Sequence, residues 1–296
     1  MATVKDYLKL HLIVFLWGTT AVMAKLITIP ATEMLFHRTL LATVGLLIVA
    51  AITRTNVKTS FQDLLKILGI GMIVGLHWIA FFVGGQISTA SLSLVGFATC
   101  SLWAAILEPL TQGKSIKPLE IFLGVLVMAG LYIILHFEMR FYSGLLLSVL
   151  SGFLAALFSV MTAGLVKRIP SVTIAMYEMA GAFLMVALFL PVYQKFFAEG
   201  GTLQLIPAPM DWFYLFILSV VCSVYAFTQS VSLMKRISVF TLQLTLNLEP
   251  VYGIALAIVL LGEDRYMGPS FVVGAGLILL AVLSYPILKK RFDQRS

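Results

Sequence analysis

Apolar residues in this chain form long, nearly uninterrupted runs that are separated by short polar segments. A helix that crosses a bilayer needs about 20 mostly apolar residues. The connections are short, so we expect no separate soluble domain, and no small-residue cleavage site follows the first run, so we expect no removable signal peptide. The runs predict ten membrane-spanning helices, called spans 1 to 10 in chain order: Leu8–Ala24, Ala31–Ile52, Leu64–Gly85, Ala90–Thr111, Leu119–His136, Phe141–Leu165, Val172–Phe196, Asp211–Met234, Val239–Leu261 and Met267–Leu288.

The composition agrees with a chain that is buried in lipid. Hydrophobic residues make up 60% of the 296 residues and charged residues 11%, with a mean hydropathy of +1.03. A soluble globular chain is about 45–50% apolar and about 25% charged, so the surface of this protein cannot be mainly aqueous. The same figures exclude a disordered chain, a coiled coil and a secreted disulfide scaffold. Cys100 and Cys222 lie inside apolar runs, where we expect buried free thiols. The predicted fold class is an all-α polytopic membrane protein.

Lysine and arginine residues favour one side of the predicted membrane. If the N-terminus is cytoplasmic, 15 of the 20 basic residues fall in inner segments and four in outer segments, with Arg38 inside span 2. Cytoplasmic loops carry an excess of Lys and Arg, so we predict a protein of the cell (inner) membrane with both termini in the cytoplasm. The net charge of +7 then belongs to loops that face the anionic inner leaflet, and nucleic acid is not an expected partner. The four outer basic residues are Lys25, Arg140, Lys195 and Arg265.

Short matches between the two halves of the chain indicate an internal repeat. Ile29-Pro30 before span 2 recurs 140 positions later as Ile169-Pro170 before span 7, and Gly113-Lys114 matches Gly262-Glu263 at an offset of 149. Each half then holds five helices, and because five is odd the second half enters the membrane from the opposite side. Many secondary transporters are built from such inverted repeats, although chance similarity between apolar segments is the alternative explanation. The predicted halves are residues 1–138 and 139–296.

One motif carries a more specific likeness. Leu248-Glu249-Pro250-Val251-Tyr252, followed by Leu261-Gly262-Glu263, resembles the end of the second repeat in EamA-type proteins of the drug/metabolite transporter superfamily, as does Trp17-Gly18 in span 1. The resemblance covers essentially the whole chain. It implies a cavity lined mainly by spans 1–4 and 6–9, and the export or exchange of small organic solutes. The first half departs from the pattern, with Ser101 where a proline is usual and Lys114 where the second half has Glu263.

Two ionisable residues lie at matching depths in the predicted membrane. Arg38 and Glu178 each follow a proline, Pro30 or Pro170, by eight residues. An ionisable side chain at mid-bilayer costs about 2.5–3.5 kcal/mol on insertion scales, so each is a functional candidate. We favour a shared aqueous cavity because a buried ion pair often only breaks even against apolar packing, while a static bridge from Arg38 to Glu178 or Glu249 remains the alternative. The planar Arg38 guanidinium suits a carboxylate or phosphate on the substrate.

Two further carboxylates are candidates for proton coupling or gating, together with Glu178. Glu249 precedes Pro250, which cannot donate to the preceding turn and therefore predicts a bend in span 9 with a free carbonyl near position 246. Burial favours the neutral form of a carboxyl group, so Glu249 could bind and release a proton; capping of the broken backbone or pairing with a cation are the alternatives. Glu108 lies near the inner end of span 4 as a gate or a cap.

The remaining candidates are polar-tipped or aromatic side chains at middle depth. Tyr225 and Gln229 are expected to share one face of span 8, because they are four residues apart. An aromatic cavity with a few hydrogen-bonding groups suits an amphipathic organic solute, although helix packing could also account for any single aromatic residue. With Arg38, the predicted substrate-binding residues are Trp17, His77, Trp78, Thr99, Trp103, Tyr177, Tyr225, Gln229, Gln243 and Asn247.

Small residues recur at helical spacing in two spans. Gly71 and Gly75 in span 3 are four residues apart. A run in span 6 has the same spacing and consists of Ser151, Ala155, Ser159 and Ala163. Such residues allow two helix backbones to approach closely. We therefore expect tight helix contacts on these faces.

Several sequence signatures of other functions are missing. The chain has no phosphate-binding loop, no zinc-protease or paired Cys-x-x-Cys motif and no nucleophile–base pair, so we expect no cofactor, no metal and no enzyme activity. The predicted function is secondary transport of a small organic metabolite by alternating access, in the export direction. The solute is amino-acid-like or otherwise amphipathic, and both an anionic character and proton coupling are left open. A facilitated exchanger of anionic metabolites and a lipid scramblase or flippase are the alternatives. The expected partners are the substrate, protons and the lipid bilayer, with the protein a monomer or homodimer.

Overall fold

A computed structural model of the chain describes residues 2–88, 90–135, 142–261 and 269–293. Within these ranges the regular structure is entirely helical, as predicted. One segment is a π-helix, called π1, and a short 3₁₀ turn occupies Glu199–Gly201. The helices are α1 (Val4–Leu26), α2 (Ala31–Ile52), α3 (Phe61–Gln86), α4 (Ala90–Ala98), α5 (Cys100–Thr111), α6 (Pro118–Leu135), α7 (Tyr142–Leu165), α8 (Ser171–Phe196), α9 (Pro209–Ile217), π1 (Leu218–Phe227), α10 (Thr228–Leu233), α11 (Val239–Leu246), α12 (Glu249–Leu261) and α13 (Pro269–Asp293).

The apolar runs locate these helices closely. Span 2 and α2 share the same bounds, whereas spans 4, 8 and 9 are each divided into shorter segments. Ten membrane crossings remain a prediction, and several predicted features, namely His136, Arg140, Gly262-Glu263 and Arg265, lie outside the described residues. Six helical segments of the described chain are long and apolar enough to cross a membrane: Ala31–Ile52, Phe61–Gln86, Tyr142–Leu165, Ser171–Phe196, Pro209–Leu233 and Val272–Lys290.

Two of the divisions fall at matching places in the two predicted halves. The break between α4 and α5 lies at Thr99, and the break between α11 and α12 lies at Asn247 and Leu248. The offset of 149 that joins Gly113 to Gly262 also places Thr99 on Leu248. Pro250 accounts for the second break because it has no N–H to donate. The first predicted half has a break at the matching place although Ser101, rather than a proline, lies at the position that matches Pro250.

The third division is a change of helix type. Residues 218–227 form π1 between α9 and α10 in predicted span 8. The Ser223 hydroxyl donates to the carbonyl of Leu218, five residues earlier, at 3.2 Å. A π-helix has more residues per turn than an α-helix, so π1 rotates every later side chain of span 8 away from its α-helical direction.

Helices of the two predicted halves pack closely against each other. α3 packs on α7 and α8, α1 packs on α12, and α6 packs on α13. At the α3–α8 contact, a Cβ atom added to Gly71 would overlap the backbone of Glu178, and one added to Gly75 would lie 2.8 Å from the Ala182 carbonyl oxygen. Gly181 of α8 faces Gly71 in the same way. The small residues of span 3 therefore serve backbone-to-backbone packing between the halves, as such residues do in membrane helices.

Polar contacts across the halves also occur at the end of the molecule that holds the N-terminus. Arg168 forms a two-pronged ion pair with Asp63, with distances of 2.5 and 2.6 Å. Arg236 pairs with Asp6 at 2.7 Å. The Thr3 backbone and hydroxyl groups donate to Asp6, and these bonds, together with the Arg236 charge, lower the pKa of Asp6. At this end the two halves are joined by charge as well as by packing.

The outer surface of the described helices is apolar. Leu47, Phe122 and Val272 are 51%, 61% and 65% exposed. Large apolar side chains with this exposure belong in lipid rather than in water. Cys100 and Cys222 are buried free thiols, as expected from their apolar surroundings.

Candidate functional site

A cavity of about 120 Å³ lies between the two predicted halves. Its lining comes from predicted spans 1–4 and 6–9, and the described parts of spans 5 and 10 contribute no lining residue, as the family resemblance implies. The wall is mainly apolar and aromatic, with three ionisable acid or guanidinium groups. Seven of the predicted site residues line it: Trp17, Arg38, His77, Trp78, Glu178, Gln243 and Glu249.

Arg38 is the positive charge in this cavity. It lies in the second turn of α2, where its Nε donates to the Ser223 hydroxyl of π1 at 2.8 Å. Its guanidinium carbon lies 5.0 Å from the centre of the Trp78 ring, which is a cation–π contact. Among the described residues, no carboxylate oxygen lies within 4.0 Å of the guanidinium, and its two terminal nitrogens have no hydrogen-bond partner. The static ion pair that the sequence left open is therefore not formed between Arg38 and either glutamate.

The two carboxyl groups of the cavity have different surroundings. Glu249 is half-buried in the first turn of α12, where the positive end of the helix dipole favours a carboxylate, and it interacts electrostatically with Arg38. Glu178 of α8 is fully buried. The Thr162 hydroxyl of α7 donates to its Oε1, while its Oε2 has no partner in the described chain. Of the two carboxyl groups, Glu249 is therefore the one that interacts electrostatically with Arg38.

α1 is held against the cavity by its Trp17-Gly18 pair. The Trp17 indole N–H donates to the Cys222 carbonyl of π1 at 2.8 Å. A Cβ atom at Gly18 would lie 3.2 Å from the Glu249 carbonyl oxygen and 3.0 Å from the Tyr252 Cβ, so glycine allows α1 to approach α12. The pair thus orients an aromatic wall of the cavity and brings α1 beside the helix that carries Glu249.

α7 orients two polar groups of the cavity through its small-residue face. His77 Nδ1 lies 2.9 Å from the Ser151 carbonyl oxygen and 2.8 Å from its hydroxyl oxygen. The Gln243 side-chain amide donates to the Ser159 hydroxyl at 2.8 Å and to the Ala155 carbonyl at 3.0 Å, while its Oε1 has no partner among the described residues. The residues that sequence analysis assigned to close packing therefore also position His77 and Gln243.

Three predicted site residues at or near the helix breaks do not line the cavity. The Thr99 hydroxyl donates to the Gly96 carbonyl at 2.7 Å, and the Asn247 amide donates to the Gln243 carbonyl at 3.2 Å. Trp103 packs edge-on against Phe153, with ring centres 5.3 Å apart. Thr99 and Asn247 use their polar groups to satisfy interrupted backbone, and Trp103 fills the adjoining helix interface.

Tyr177, Tyr225 and Gln229 also lie away from the cavity. The Tyr177 hydroxyl donates to the Val57 carbonyl at 3.2 Å, in the segment between α2 and α3. Tyr225 is 42% exposed, and Gln229 accepts from Lys9 Nζ at 3.0 Å. The α-helical spacing that predicted a shared Tyr225–Gln229 face does not apply here, because Tyr225 lies inside π1 and its side chain is displaced from the α-helical phase.

Glu108 forms a cap outside the cavity. Its Oε1 accepts from the Val239 backbone N–H at 3.0 Å, and its Oε2 accepts from the Phe240 N–H at 2.8 Å. These are unpaired donors at the N-terminus of α11, where a negative charge is favourable. The sequence left open whether Glu108 is a gate or a cap. Its geometry is that of a helix cap that joins α5 to α11.

Comparison with known proteins identifies the family. The profile of the EamA-like transporter family matches residues 6–136 and 142–285. The chain belongs to the EamA-like transporter family. This EamA-like protein is a multi-pass membrane transporter of the drug/metabolite transporter type, with a small-molecule substrate and the lipid bilayer as its partners. One solved crystal structure matches 99% of this chain and 100% of its own chain at 16% identity, with a TM-score of 0.81, which shows a shared fold. Comparison with curated protein sequences finds no match.

Most of the cavity wall of this EamA-like transporter consists of residues that the sequence did not single out. A phenylalanine inside an apolar helix gives no sequence signal that separates a cavity position from a lipid-facing or packed one. Ser230 and Met234 of the lining follow π1 in span 8, where α-helical spacing no longer predicts the side-chain direction. The aromatic residues that were missed are Phe81, Phe82, Phe97, Phe158 and Phe227.

The cavity combines few charges with a large aromatic surface. Within the described ranges, no group of three or more His, Cys, Asp or Glu residues is placed to hold a metal ion. The Arg38 guanidinium can bind an anionic group through two terminal nitrogens, and Glu249 can attract a cationic one. Apolar and aromatic walls with a few fixed polar groups are typical of sites for small organic ligands.

Proposed function

We propose that this EamA-like transporter is a secondary transporter that exports a small amphipathic organic solute across the inner membrane by alternating access. The protein crosses the membrane ten times as two inverted five-helix repeats, residues 1–138 and 139–296, with both termini in the cytoplasm. The cavity is its substrate site. The observation that carries the proposal is the state of Arg38, which lines the cavity with two terminal nitrogens that no described residue uses.

Arg38 supplies the anion-binding end of the site. Its Nε is already bonded to Ser223, so the edge that remains presents two parallel N–H groups. That edge matches the two oxygens of a carboxylate, and the bonds are strengthened by both charges. Burial of an arginine without a paired carboxylate is costly, and an anionic substrate group would remove much of that cost.

Glu249 gives the site a negative charge beside the positive one. Glu249 and Arg38 interact electrostatically but lie beyond ion-pair distance. A solute that carries an anionic and a cationic group on neighbouring atoms satisfies both residues, whereas a simple anion is repelled by an ionised Glu249. The aromatic lining around Trp78 then receives the apolar part of the solute. We therefore propose an amino-acid-like substrate.

Transport by purified protein in proteoliposomes tests this proposal with leucine as the probe. Leucine methyl ester lacks the carboxylate and N-acetyl-leucine lacks the ammonium group, so each tests one end of the site. For the wild type we expect uptake of labelled leucine that either analogue inhibits at least about tenfold more weakly than leucine does, since a charge-assisted hydrogen bond contributes about 1.5–3 kcal/mol.

Two variants test whether Arg38 binds the carboxylate of the solute and Glu249 its ammonium group. Arg38→Gln should remove the preference for leucine over its methyl ester, and Glu249→Gln should remove the preference for leucine over N-acetyl-leucine. Arg54→Gln and Glu199→Gln, at exposed positions in connecting segments, are the matched controls and should keep both preferences. Unchanged analogue selectivity in Arg38→Gln would contradict the anion-binding role.

Proton coupling is proposed for the buried carboxyl group of Glu178. A carboxyl group that is buried without a cation is far less costly in its neutral form. Glu178 has one hydrogen bond, from Thr162, and no cation within ion-pair distance among the described residues. We assign proton exchange to Glu178 and substrate contact to Glu249.

Facilitated exchange of anionic metabolites is the second candidate. It is favoured by the same unpaired guanidinium, which an anion alone would neutralise. In proteoliposomes an exchanger requires substrate on both sides and does not respond to an imposed pH gradient. Leucine uptake into vesicles without internal substrate would argue against it.

A further inference from the structure

The π-helical segment π1 holds two residues of the cavity wall that belong to other helices. The Ser223 hydroxyl accepts from Arg38 Nε of α2, and the Cys222 carbonyl accepts from the Trp17 indole of α1. The donor and acceptor atoms are 2.8 Å apart in each of these two hydrogen bonds. π-Helical turns are rare and are found frequently at functional sites. Adjacent residues of π1 therefore connect to an arginine and a tryptophan from two different helices.

The bond to Arg38 is set up by the geometry of π1. A serine hydroxyl has one proton, and that of Ser223 points to the Leu218 carbonyl, five residues earlier, at 3.2 Å. With its proton committed, the hydroxyl oxygen presents lone pairs to Arg38 Nε. Ser223 is 1% exposed, so water does not compete for the bond.

This bond leaves Arg38 with a defined orientation. Nε is fixed by Ser223, and one face of the guanidinium lies over Trp78. An arginine side chain loses conformational freedom when it is immobilised. A guanidinium that is already oriented loses less conformational entropy when it binds a ligand. Its two terminal nitrogens then face the two ligand oxygens in one fixed direction.

We propose that Ser223 is a positioning residue that orients Arg38 for a planar two-oxygen group and so contributes to selectivity for a carboxylate. Ser223 does not itself line the cavity. It acts through Arg38, and its effect is on substrate affinity and selectivity rather than on the rate at which the loaded protein turns over. This inference rests on the proposed anion-binding role of Arg38.

The chain offers a matched control within the same segment. Ser219 is also buried in π1, and its hydroxyl has no hydrogen-bond partner among the described residues. Ser219→Ala and Ser223→Ala therefore make the same chemical change in the same π-helix, one without and one with a bond to Arg38. Ser223→Thr keeps a hydroxyl at the position.

Leucine transport in proteoliposomes gives the first readout, with leucinamide as the competitor that lacks the second oxygen. For Ser223→Ala we expect KM for leucine to rise about tenfold, the maximal rate to change less than about twofold, and the preference for leucine over leucinamide to fall about tenfold. Ser219→Ala should match the wild type, and Ser223→Thr should recover most of the affinity. If Ser223→Ala behaves like Ser219→Ala, the proposal is overturned.

A second readout does not depend on the substrate. An experimental structure of each alanine variant should show the Arg38 guanidinium displaced from the Trp78 ring in Ser223→Ala and retained in Ser219→Ala. An unmoved guanidinium in Ser223→Ala contradicts the positioning role even if no leucine is transported. Failure of the wild type to select leucine over leucinamide, with a displaced guanidinium in Ser223→Ala, overturns the proposed substrate and supports the positioning role.

Discussion

The contact of α3 with α8 gives a quantitative test of the fold. An alanine Cβ at Gly71 would overlap the carbonyl oxygen, carbonyl carbon and Cα of Glu178. Gly181 faces Gly71 across the contact, so neither helix has a flexible side chain that could give way. Overpacking of a well-packed interior costs about 1–3 kcal/mol. We expect Gly71→Ala to lie in the upper half of that range, because the clash is with backbone.

Thermal unfolding of the purified protein measures this cost. One kcal/mol shifts Tm by about 2–4 °C in proteins of 150–250 residues, so a cost of about 2–3 kcal/mol should make Gly71→Ala unfold about 4–12 °C below the wild type. Gly69→Ala is the matched control: it is two residues away in α3, has no heavy atom within 4 Å of the added Cβ, and gains helix propensity. Equal unfolding temperatures for the two variants would refute the close α3–α8 contact.

Three further predictions concern single side chains. Glu108→Ala should destabilise the protein by about 1–2 kcal/mol, as measured by thermal unfolding, because it removes the cap from two backbone donors of α11. Glu178→Gln should abolish the dependence of leucine uptake on an imposed pH gradient; retained dependence would assign proton exchange to another group. Asp6→Asn should lower Tm at neutral pH, because hydrogen bonds from Thr3 and the charge of Arg236 lower the pKa of Asp6. A lowered pKa stabilises the fold above the ordinary value near 3.8, so this difference in Tm should disappear as the pH falls through the lowered pKa.

Much of the helical fold was predictable from hydrophobicity alone. Apolar runs located α2 at its observed bounds, because a helix in lipid must be apolar along its whole length. The division of span 9 was also foreseen, since Pro250 cannot donate to the preceding turn. The division of span 4 at Thr99 was not foreseen, because no residue there prevents a continuous helix. π1 was likewise unforeseen, since its ten residues are ordinary for an α-helix.

The sequence pointed to cavity-lining residues best where burial of the side chain carries a high cost. Arg38, Glu178 and Glu249 stood out because an ionisable group in an apolar span needs a reason to be there, and all three line the cavity. Tyr177 was misplaced because depth along a helix does not reveal which face meets the cavity. Ser223 was not predicted because serine is common in membrane helices. The hydrogen bond that it accepts from Arg38 depends on π1, which the sequence did not indicate.

The helix breaks at Thr99 and before Pro250 differ in the backbone hydrogen bonds that they can form. Pro250 has no N–H to donate to the carbonyl of Leu246, so this backbone hydrogen bond cannot form at the break between α11 and α12 in any conformation. Ser101, at the matching position of the first predicted half, keeps its N–H, so the same backbone hydrogen bond, to the carbonyl of Phe97, is chemically available at the Thr99 break. Under the proposed alternating access, the two breaks are therefore not equivalent: the one at Thr99 can form a backbone hydrogen bond that the one before Pro250 cannot.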